Sequence, residues 1–323
     1  MSNPQIIAVA SGKGGVGKSM ITANLAAALA DAGKSVIAVD LDLGGSNLHS
    51  YLGMPNKHPG VGDYLVARHG RLEEFIVPTG IDNLSFIPGD GRTPCMANIA
   101  FSEKVRLMLA IRWLKADYVL LDLGGGSSFN TLDFYALAPS GLMVTTLEYP
   151  SIMNFLVFLR NYMFRAFDRD LKNFPGIPEL MVQFRQTPMT EGQLTTSKMV
   201  QQIGDADPEA GAKAKGICTK QRPRVIYNFC LLPEQLKICS KIDESARTIL
   251  GVPVEHFGAV FEDRTAREAA YRTVPLLSNY PDCSVTTRLK GIAERIINNW
   301  DDKPENSAAW LMEDAEQFYR TLS

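Results

Sequence analysis

Residues 11–19 carry the chemistry that is easiest to recognise in this sequence. They read Ser-Gly-Lys-Gly-Gly-Val-Gly-Lys-Ser, between an apolar run at 6–10 and a stretch typical of a helix. Glycines allow a backbone to close around an anion, and the N–H groups and dipole of a helix N-terminus favour negative charge. The spacing Gly12-x-x-x-x-Gly17-Lys18-Ser19 is the P-loop pattern, which assigns Lys18 to the β- and γ-phosphates of a nucleotide and Ser19 to Mg²⁺. The predicted nucleotide-binding residues of the loop are Gly12, Gly14, Gly15, Val16, Gly17, Lys18, Ser19 and Met20.

The same stretch also contains a competing pattern for dinucleotides. Gly12-x-Gly14-x-x-Gly17 is a literal G-x-G-x-x-G, and Asp40 stands near the position, roughly 20 residues further on, of a ribose-binding acid. The last glycine of that motif packs a helix on a strand, so the motif has no use for an ammonium followed by a hydroxyl. The pair Lys18-Ser19 therefore favours a nucleoside triphosphate.

Two carboxylates follow the second apolar run, at the point where a strand is expected to end. Asp40 and Asp42 are separated by a single leucine, and glycines follow at 44 and 45. Hydrolysis of a phosphoanhydride requires an in-line water and neutralised charge, and carboxylates beside a phosphate loop can provide both. We expect Asp42 to position the water and Asp40 to support it.

A third carboxylate, Asp122, lies near the end of the apolar run 118–123, and three glycines follow at 124–126. This is the form of a Walker B aspartate, which acts on Mg²⁺ through water. A glycine loop at this place can move towards a γ-phosphate and so distinguish a triphosphate from a diphosphate. The predicted catalytic residues are Lys18, Asp42 and Asp122, and the predicted Mg²⁺ site comprises Ser19, Asp40, Asp42 and Asp122.

A base pocket is predicted near the ends of two late strands. Asn228 lies towards the end of the run 224–229, and its amide could recognise N6 and N7 of adenine. Residues 258–263 end the next strand and form the expected second wall. The alternative is that Asn228 is only a turn residue.

Composition is that of a globular protein with a sizeable core. The chain has 323 residues, of which 46% are hydrophobic and 21% are charged, with a net charge of −2 that does not indicate a polyanionic partner. No apolar run approaches the roughly 20 residues of a membrane span, and the first strand begins almost at the N-terminus, so a cytoplasmic protein is expected. Five scattered cysteines, including Cys95, form no Cys-x-x-Cys, which is typical of reduced, buried thiols.

Apolar runs that alternate with helical stretches predict an α/β fold: a doubly wound, mostly parallel β-sheet with helices on both faces. Strands are predicted at 6–10, 36–40, 84–87, 118–123, 142–147, 224–229 and 256–260. Helices are predicted at 19–32, 102–115, 130–137, 152–167, 233–250, 263–272 and 286–299. Residues 1–300 are expected to form one domain, interrupted at about 171–223 by an insertion with a helix or two of its own.

Residues 301–323 are expected to form an acidic linker and a C-terminal helix. Leu311, Ala315, Phe318 and Leu322 share one side of that helix, which predicts docking on the body of the protein. A membrane-surface helix would need a basic polar face. These residues carry six acids and two bases, a net charge of −4, so membrane binding through the tail is not expected.

These motifs resemble those of the MinD/ParA ATPases. Residues 13–19 resemble their deviant Walker A motif, residues 40–42 their switch I, residues 122–126 their switch II, and residues 258–276 a late strand–helix–proline signature. The similarity covers about residues 5–167 and 224–298. Within the family, the chain most resembles the FlhG-like branch. It implies a P-loop fold, ATP and ADP with Mg²⁺, and an ATP-dependent homodimer. In that dimer Lys13 would reach the phosphates bound by the other copy, which adds it to the predicted catalytic residues.

The resemblance also implies a slow molecular switch that positions or regulates a cellular assembly through an unidentified partner or activator protein. Met20 stands where threonine is common, and Phe261 stands where proline is common. The Cys-x-x-Cys of related cluster carriers is missing, so no iron–sulfur cluster is expected, and non-specific DNA binding remains open. Two alternatives remain: an ATP-dependent ligase or synthetase on the same scaffold, and a nucleotide-sensing module with negligible hydrolysis.

Overall fold

The computed structural model describes residues 3–67, 69–89, 98–138, 140–190 and 193–321. Within them, eight strands form one sheet in the order β3-β4-β2-β5-β1-β6-β7-β8. All neighbouring strands are parallel except β3 and β4, which are antiparallel. The strands are β1 (Gln5–Ala10), β2 (Val36–Leu41), β3 (Val77–Pro78), β4 (Leu84–Ile87), β5 (Tyr118–Leu123), β6 (Leu142–Thr145), β7 (Arg224–Cys230) and β8 (Glu255–Phe261).

Helices connect the strands and cover both faces of the sheet. They are α1 (Lys18–Asp31), α2 (Leu48–Tyr51), α3 (Val61–Ala67), α4 (Phe101–Arg112), α5 (Phe129–Tyr135), α6 (Tyr149–Leu171), α7 (Ile177–Gln186), α8 (Thr196–Ala206), α9 (Pro208–Lys220), α10 (Cys239–Ser245), α11 (Arg264–Arg272), α12 (Leu276–Asn279), α13 (Ser284–Asn299) and α14 (Ser307–Thr321). The expected doubly wound α/β fold is confirmed.

A separate apolar core lies on each face of the sheet. One face packs against α1 and α13, through residues such as Leu25 and Leu289. The other packs against α4, α5, α6 and α14, through residues such as Leu107 and Phe158. Strands covered on both faces bury every side chain, which explains why β2 and β5 are buried along their whole length.

The register of the central strands brings the predicted site residues to one edge of the sheet. β5 lies between β1 and β2, and Asp122 pairs in register with Asp40 of β2 and Val9 of β1. Because parallel strands end at the same edge, the loops that follow β1, β2 and β5 meet there.

The structure differs from the sequence predictions in several places, and the short helices α2, α3 and α12 were not predicted. The continuous helix expected at 233–250 consists of three pieces. They are a 3-10 helix at Pro233–Ile238, the α-helix α10, and a π-helical turn at Ala246–Leu250. The segment 171–223 contains three helices, α7 to α9, which share a small core of their own with the end of α6. The antiparallel strand β3 was not predicted, since two residues give no detectable periodicity.

The C-terminal helix α14 packs on the body of the protein, as its apolar side predicts. Leu311 and Ala315 are fully buried, and Arg288 of α13 is ion-paired to Asp314. Leu322 and Cys95 lie outside the described residues. Among the residues that are described, no helix has the length and apolar character needed to cross a bilayer.

Candidate functional site

The P-loop forms an uncapped helix N-terminus at the edge of the sheet. Gly15 and Gly17 adopt positive φ angles of 82° and 83°, which glycine tolerates at no steric cost. Helix α1 then begins at Lys18 with no side-chain cap and no acidic residue in its first turn. The free N–H groups and the helix dipole make this position suited to an anion.

Four side chains meet behind this loop. Lys18 Nζ lies 2.8 Å from Asp122 Oδ1, and Ser19 Oγ donates to Asp122 Oδ2 at 2.6 Å. Thr22 Oγ1 lies 2.9 Å from the same Oδ1 atom, so Asp122, which is fully buried, accepts from three donors. Thr22 was not predicted from the sequence, although its place one helical turn after Lys18 was a usable signal.

Asp40 holds the loop that follows β2. It is fully buried, its Oδ1 accepts from the N–H of Asp42 at 3.0 Å, and its Oδ2 accepts from the N–H of Leu48 at 3.1 Å. Burial, with the carboxylate of Asp122 close by, raises the pKa of Asp40 above its usual range. Both oxygens already bind backbone, which fits the supporting role expected from the sequence.

Asp42 faces the glycine loop that follows β5. It is half-buried, and a Cβ atom added at Gly124 would lie 3.4 Å from Asp42 Oδ1. The glycine loop in turn lies on the P-loop: Gly126 N–H donates to Ser11 O at 2.9 Å, and a Cβ at Gly125 would lie 3.0 Å from the nitrogen of Gly14. The three segments singled out in the sequence are thus in direct contact.

Lys13 is placed differently from Lys18. Its side chain is 36% exposed, and its ammonium lies 3.7 Å from Glu148, a surface residue just before α6. Gly12, next to it, packs closely on that helix, since a Cβ there would lie 2.3 Å from the carbonyl atoms of Asn154. The glycine at this position is required by helix packing, independently of any ligand.

Asn228 braces the P-loop. It is fully buried, and its Nδ2 donates to Val16 O at 2.9 Å, while its buried Oδ1 has no hydrogen-bond partner among the described residues. A Cβ at Gly17 would lie 2.2 Å from the same Nδ2 atom. Asn228 is therefore more than a turn residue, and its role towards a base remains a prediction.

A pocket of about 130 Å³ opens beside Asn228 and Gly17, between the ends of β7 and β8. Met20 and residues 261–263 line it, so the structure brings together the two walls that the sequence predicted. The pocket is also lined by residues that were not predicted from the sequence: Tyr51, Phe229, Ala266, Arg267, Ala270 and Val285. Phe229 adopts a positive φ of 56°, which is rare for a bulky residue and has no sequence signal.

The C-terminal helix supports one wall of this pocket. Phe261, at the end of β8, stacks on Phe318 of α14 with ring centroids 6.1 Å apart, and contacts Tyr319 at 5.4 Å. The tail thus contacts the predicted base pocket through the aromatic side chain of Phe261.

We expect Phe318→Ala to lower nucleotide affinity about threefold to tenfold, because Phe261 loses the ring that holds it against the pocket. Isothermal titration calorimetry with ADP measures this. Trp310→Ala is the matched control, since Trp310 lies on the same helix but stacks on Arg295 instead. Equal losses of affinity in both variants would show that nucleotide affinity depends on docking of α14 in general and not on the contact between Phe318 and Phe261.

The fold and the site together define a P-loop nucleotide-binding α/β protein. The sequence profile of the CobQ/CobB/MinD/ParA nucleotide binding domain family matches residues 7–317, and the chain belongs to this family. This confirms the family expected from the motifs.

Several curated proteins are similar to this chain. The septum site-determining protein MinD of Helicobacter pylori is 35% identical over 46% of the chain and 54% of its own length. The antiactivator FleN of Pseudomonas aeruginosa is 32% identical over 46% of the chain and 52% of its own length. An iron–sulfur cluster carrier protein of Methanocaldococcus jannaschii is 27% identical over 93% of the chain and 86% of its own length. The chain thus spans about half the length of the first two.

Among solved structures, MinD of Pyrococcus horikoshii complexed with Mg-ADP has the same fold. It superimposes with a TM-score of 0.57 at 20% identity, over 94% of this chain and 99% of its own. At this level of identity the likeness shows the architecture alone.

Proposed function

We propose that this protein is a Mg²⁺-dependent ATPase that acts as a nucleotide-driven dimerisation switch and positions or regulates a cellular assembly. Membership of the MinD/ParA group supports nucleotide hydrolysis in general. The observation that carries the switch is the different placement of the two loop lysines. Lys18 lies buried against Asp122, whereas the side chain of Lys13 is 36% exposed and lies against the surface residue Glu148.

The residues around Asp122 suit the polar end of ATP. Lys18 would exchange its contact with Asp122 for the β- and γ-phosphates, and the N–H groups of the loop would bind the same charge. Ser19 Oγ and the carboxylates of Asp122 and Asp42 are hard oxygen donors of the kind that Mg²⁺ prefers, and the ion would neutralise phosphate charge.

The described residues alone do not supply a full set of metal ligands. Among the described residues, no group of three or more His, Cys, Asp or Glu side chains could hold a metal ion. Mg²⁺ in nucleotide sites is usually held by one or two protein oxygens together with substrate phosphates and water. The donor set therefore fits an ion that arrives with ATP.

Dimerisation explains the surface around the P-loop. Tyr149 and Met153 are 73% and 41% exposed, and both lie at the start of α6, which abuts Gly12. A second copy of the chain would cover these apolar side chains. It would also bring its Lys13 to the phosphates, so hydrolysis would require assembly.

Asp42→Ala is expected to slow ATP hydrolysis at least about a hundredfold, because the residue that orients the water is lost. ATP binding should remain, so the dimer should accumulate. Phosphate release and multi-angle light scattering with ATP measure the two effects.

Asp82→Ala, which removes an exposed acid far from the site, is the matched control. An unchanged hydrolysis rate in Asp42→Ala would contradict its role and favour a nucleotide-sensing module. Hydrolysis that depends on a small carboxylic acid, without a protein partner, would favour a ligase.

Cluster carriage is not part of this proposal, although one relative is a carrier. The sequence contains five cysteines and no Cys-x-x-Cys. Iron and sulfide analysis of protein purified without oxygen tests this point.

A further inference from the structure

A second and larger pocket lies on the other side of the glycine loop from the base pocket. Its volume is about 550 Å³. Its walls are the start of α5, the middle of α6, and the end of α7 with residues 187–189, so the segment 171–223 builds one side of it. The nucleotide site uses none of these residues.

The pocket is cationic. Of the described residues that line it, three are arginines, at 160, 165 and 185, and one, Asp168, is acidic. Arg165 binds Asp133 through two hydrogen bonds of 2.8 Å each, and Arg185 is ion-paired to Asp168. Arg160 has no carboxylate within 4 Å among the described residues; its guanidinium contacts only the amide oxygen of Asn161 at 3.4 Å.

The pocket adjoins the glycine loop that the nucleotide is expected to control. Asn161 Nδ2 donates to Ser127 Oγ at 2.7 Å, and both residues line the pocket. Ser127 directly follows Gly126, whose N–H donates to the P-loop. A movement of the loop would therefore change the floor of this pocket.

Exposed apolar residues continue beyond the rim of the pocket. Phe129, at the rim, lies 4.7 Å from the guanidinium of Arg165 and is 69% exposed. Asp133 joins Arg165 to Lys104 of α4, beside Phe101. Residues four apart on α4 and at its C-cap present an exposed row: Phe101, Val105, Leu109 and the C-cap Trp113 are 73%, 37%, 51% and 61% exposed.

We propose that this pocket binds an acidic segment of a partner protein, which places carboxylates on Arg160 and Arg185 and apolar side chains against Phe129. Because Arg160 has no acidic partner among the described residues, it is suited to bind a carboxylate. A small anion would fill the pocket and leave the row on α4 in water, whereas a protein segment covers both. The proposal rests on the proposed function, because a nucleotide-driven switch transmits its state to a partner.

The test selects 12-residue peptides from a random library on the 323-residue chain with ATP and Mg²⁺. Selected peptides are then titrated by fluorescence anisotropy against the wild type, Arg160→Glu and Lys215→Glu. Lys215 is an exposed lysine of α9 outside the pocket, so its variant makes the same change of charge. ADP affinity and the melting temperature of each variant are measured in parallel.

We expect peptides rich in Asp and Glu with at least one large apolar residue. Their affinity should fall more than about tenfold in Arg160→Glu, where repulsion replaces a charged hydrogen bond, and should be unchanged in Lys215→Glu. ADP affinity should be unchanged in both variants.

Three results would overturn the proposal. The first is that the selected peptides are not enriched in acidic residues, or that their affinity does not change in Arg160→Glu. The second is that citrate or inorganic phosphate displaces the peptides at micromolar concentration. The third is that Arg160→Glu loses self-association, which would make a second copy of the chain the occupant. Failure of the wild type to bind nucleotide would overturn the proposed function instead.

Discussion

Lys18→Ala is expected to abolish ATP and ADP binding, with a loss of affinity of at least about a hundredfold. The ammonium is buried at the start of α1, 2.8 Å from Asp122, and no other cation is bonded to that carboxylate in the described structure. Losing a desolvated charge contact of this kind costs roughly 2–5 kcal/mol. Calorimetric titration measures the affinity.

The change also leaves Asp122 with only its two hydroxyl donors, which lowers stability. The double variant Lys18→Ala/Asp122→Asn removes the uncompensated charge, so it separates folding from binding. A double variant that folds and still binds ATP tightly would contradict the role of Lys18.

Lys13→Ala provides the decisive comparison within the same loop. Its partner Glu148 is 71% exposed, and a surface pair of this kind contributes little to stability. Folding and ATP binding should be unchanged, whereas ATP-dependent dimerisation and turnover should be lost. Glu148→Ala, which removes only the partner within the chain, should keep both.

Light scattering and phosphate release distinguish these variants. Equal loss of nucleotide binding in Lys13→Ala and Lys18→Ala would mean that both lysines serve their own site. An intact dimer in Lys13→Ala would remove the argument for a contact between copies.

Gly12→Ala is the second change with a large expected effect, here on stability. The new Cβ would lie 2.3 Å from the backbone carbonyl of Asn154 and 2.7 Å from the nitrogen of Phe155, so α6 must move. Overpacking against backbone costs about 3 kcal/mol or more. The melting temperature should fall by at least about 6 °C, or the protein should fail to fold.

Gly14→Ala is the matched control two residues away. A Cβ at Gly14 meets nothing within 4 Å, so the melting temperature without nucleotide should be unchanged. A Gly12→Ala protein as stable as the wild type would show that the loop and α6 separate easily.

Most of the fold followed from local patterns. Fully buried parallel strands appear as short apolar runs, and the strands at 84–87 and 118–123 have the bounds that were predicted. The main wrong prediction was one continuous helix at 233–250. The apolar spacing continues through the 3-10 and π-helical turns, and these turns depend on packing around α10 and α14.

The sequence predicted many of the residues of the candidate site but not how their side chains contact one another. The glycine–lysine–serine spacing and the acids at strand ends identified the P-loop, Asp40, Asp42 and Asp122, and the sheet register brings them together. Tyr51 and Phe229 were missed, because a short helix and a strained strand end have no pattern tied to chemistry. Thr22 was also missed, although its place one helical turn after Lys18 was a usable signal.

The sequence by itself determined the class of this protein. A phosphate loop needs glycines, a lysine and a hydroxyl at fixed spacing, and that requirement is local, so it can be recognised in nine residues. It also showed that Lys13 is an additional cation in the loop.

Only the tertiary structure decided what these residues touch. Gly12 lies against α6, Asn228 holds Val16, Lys13 lies at the surface, and α7 builds the wall of a cationic pocket. These contacts join residues far apart in the chain, and their geometry depends on how helices pack on the sheet rather than on any local preference.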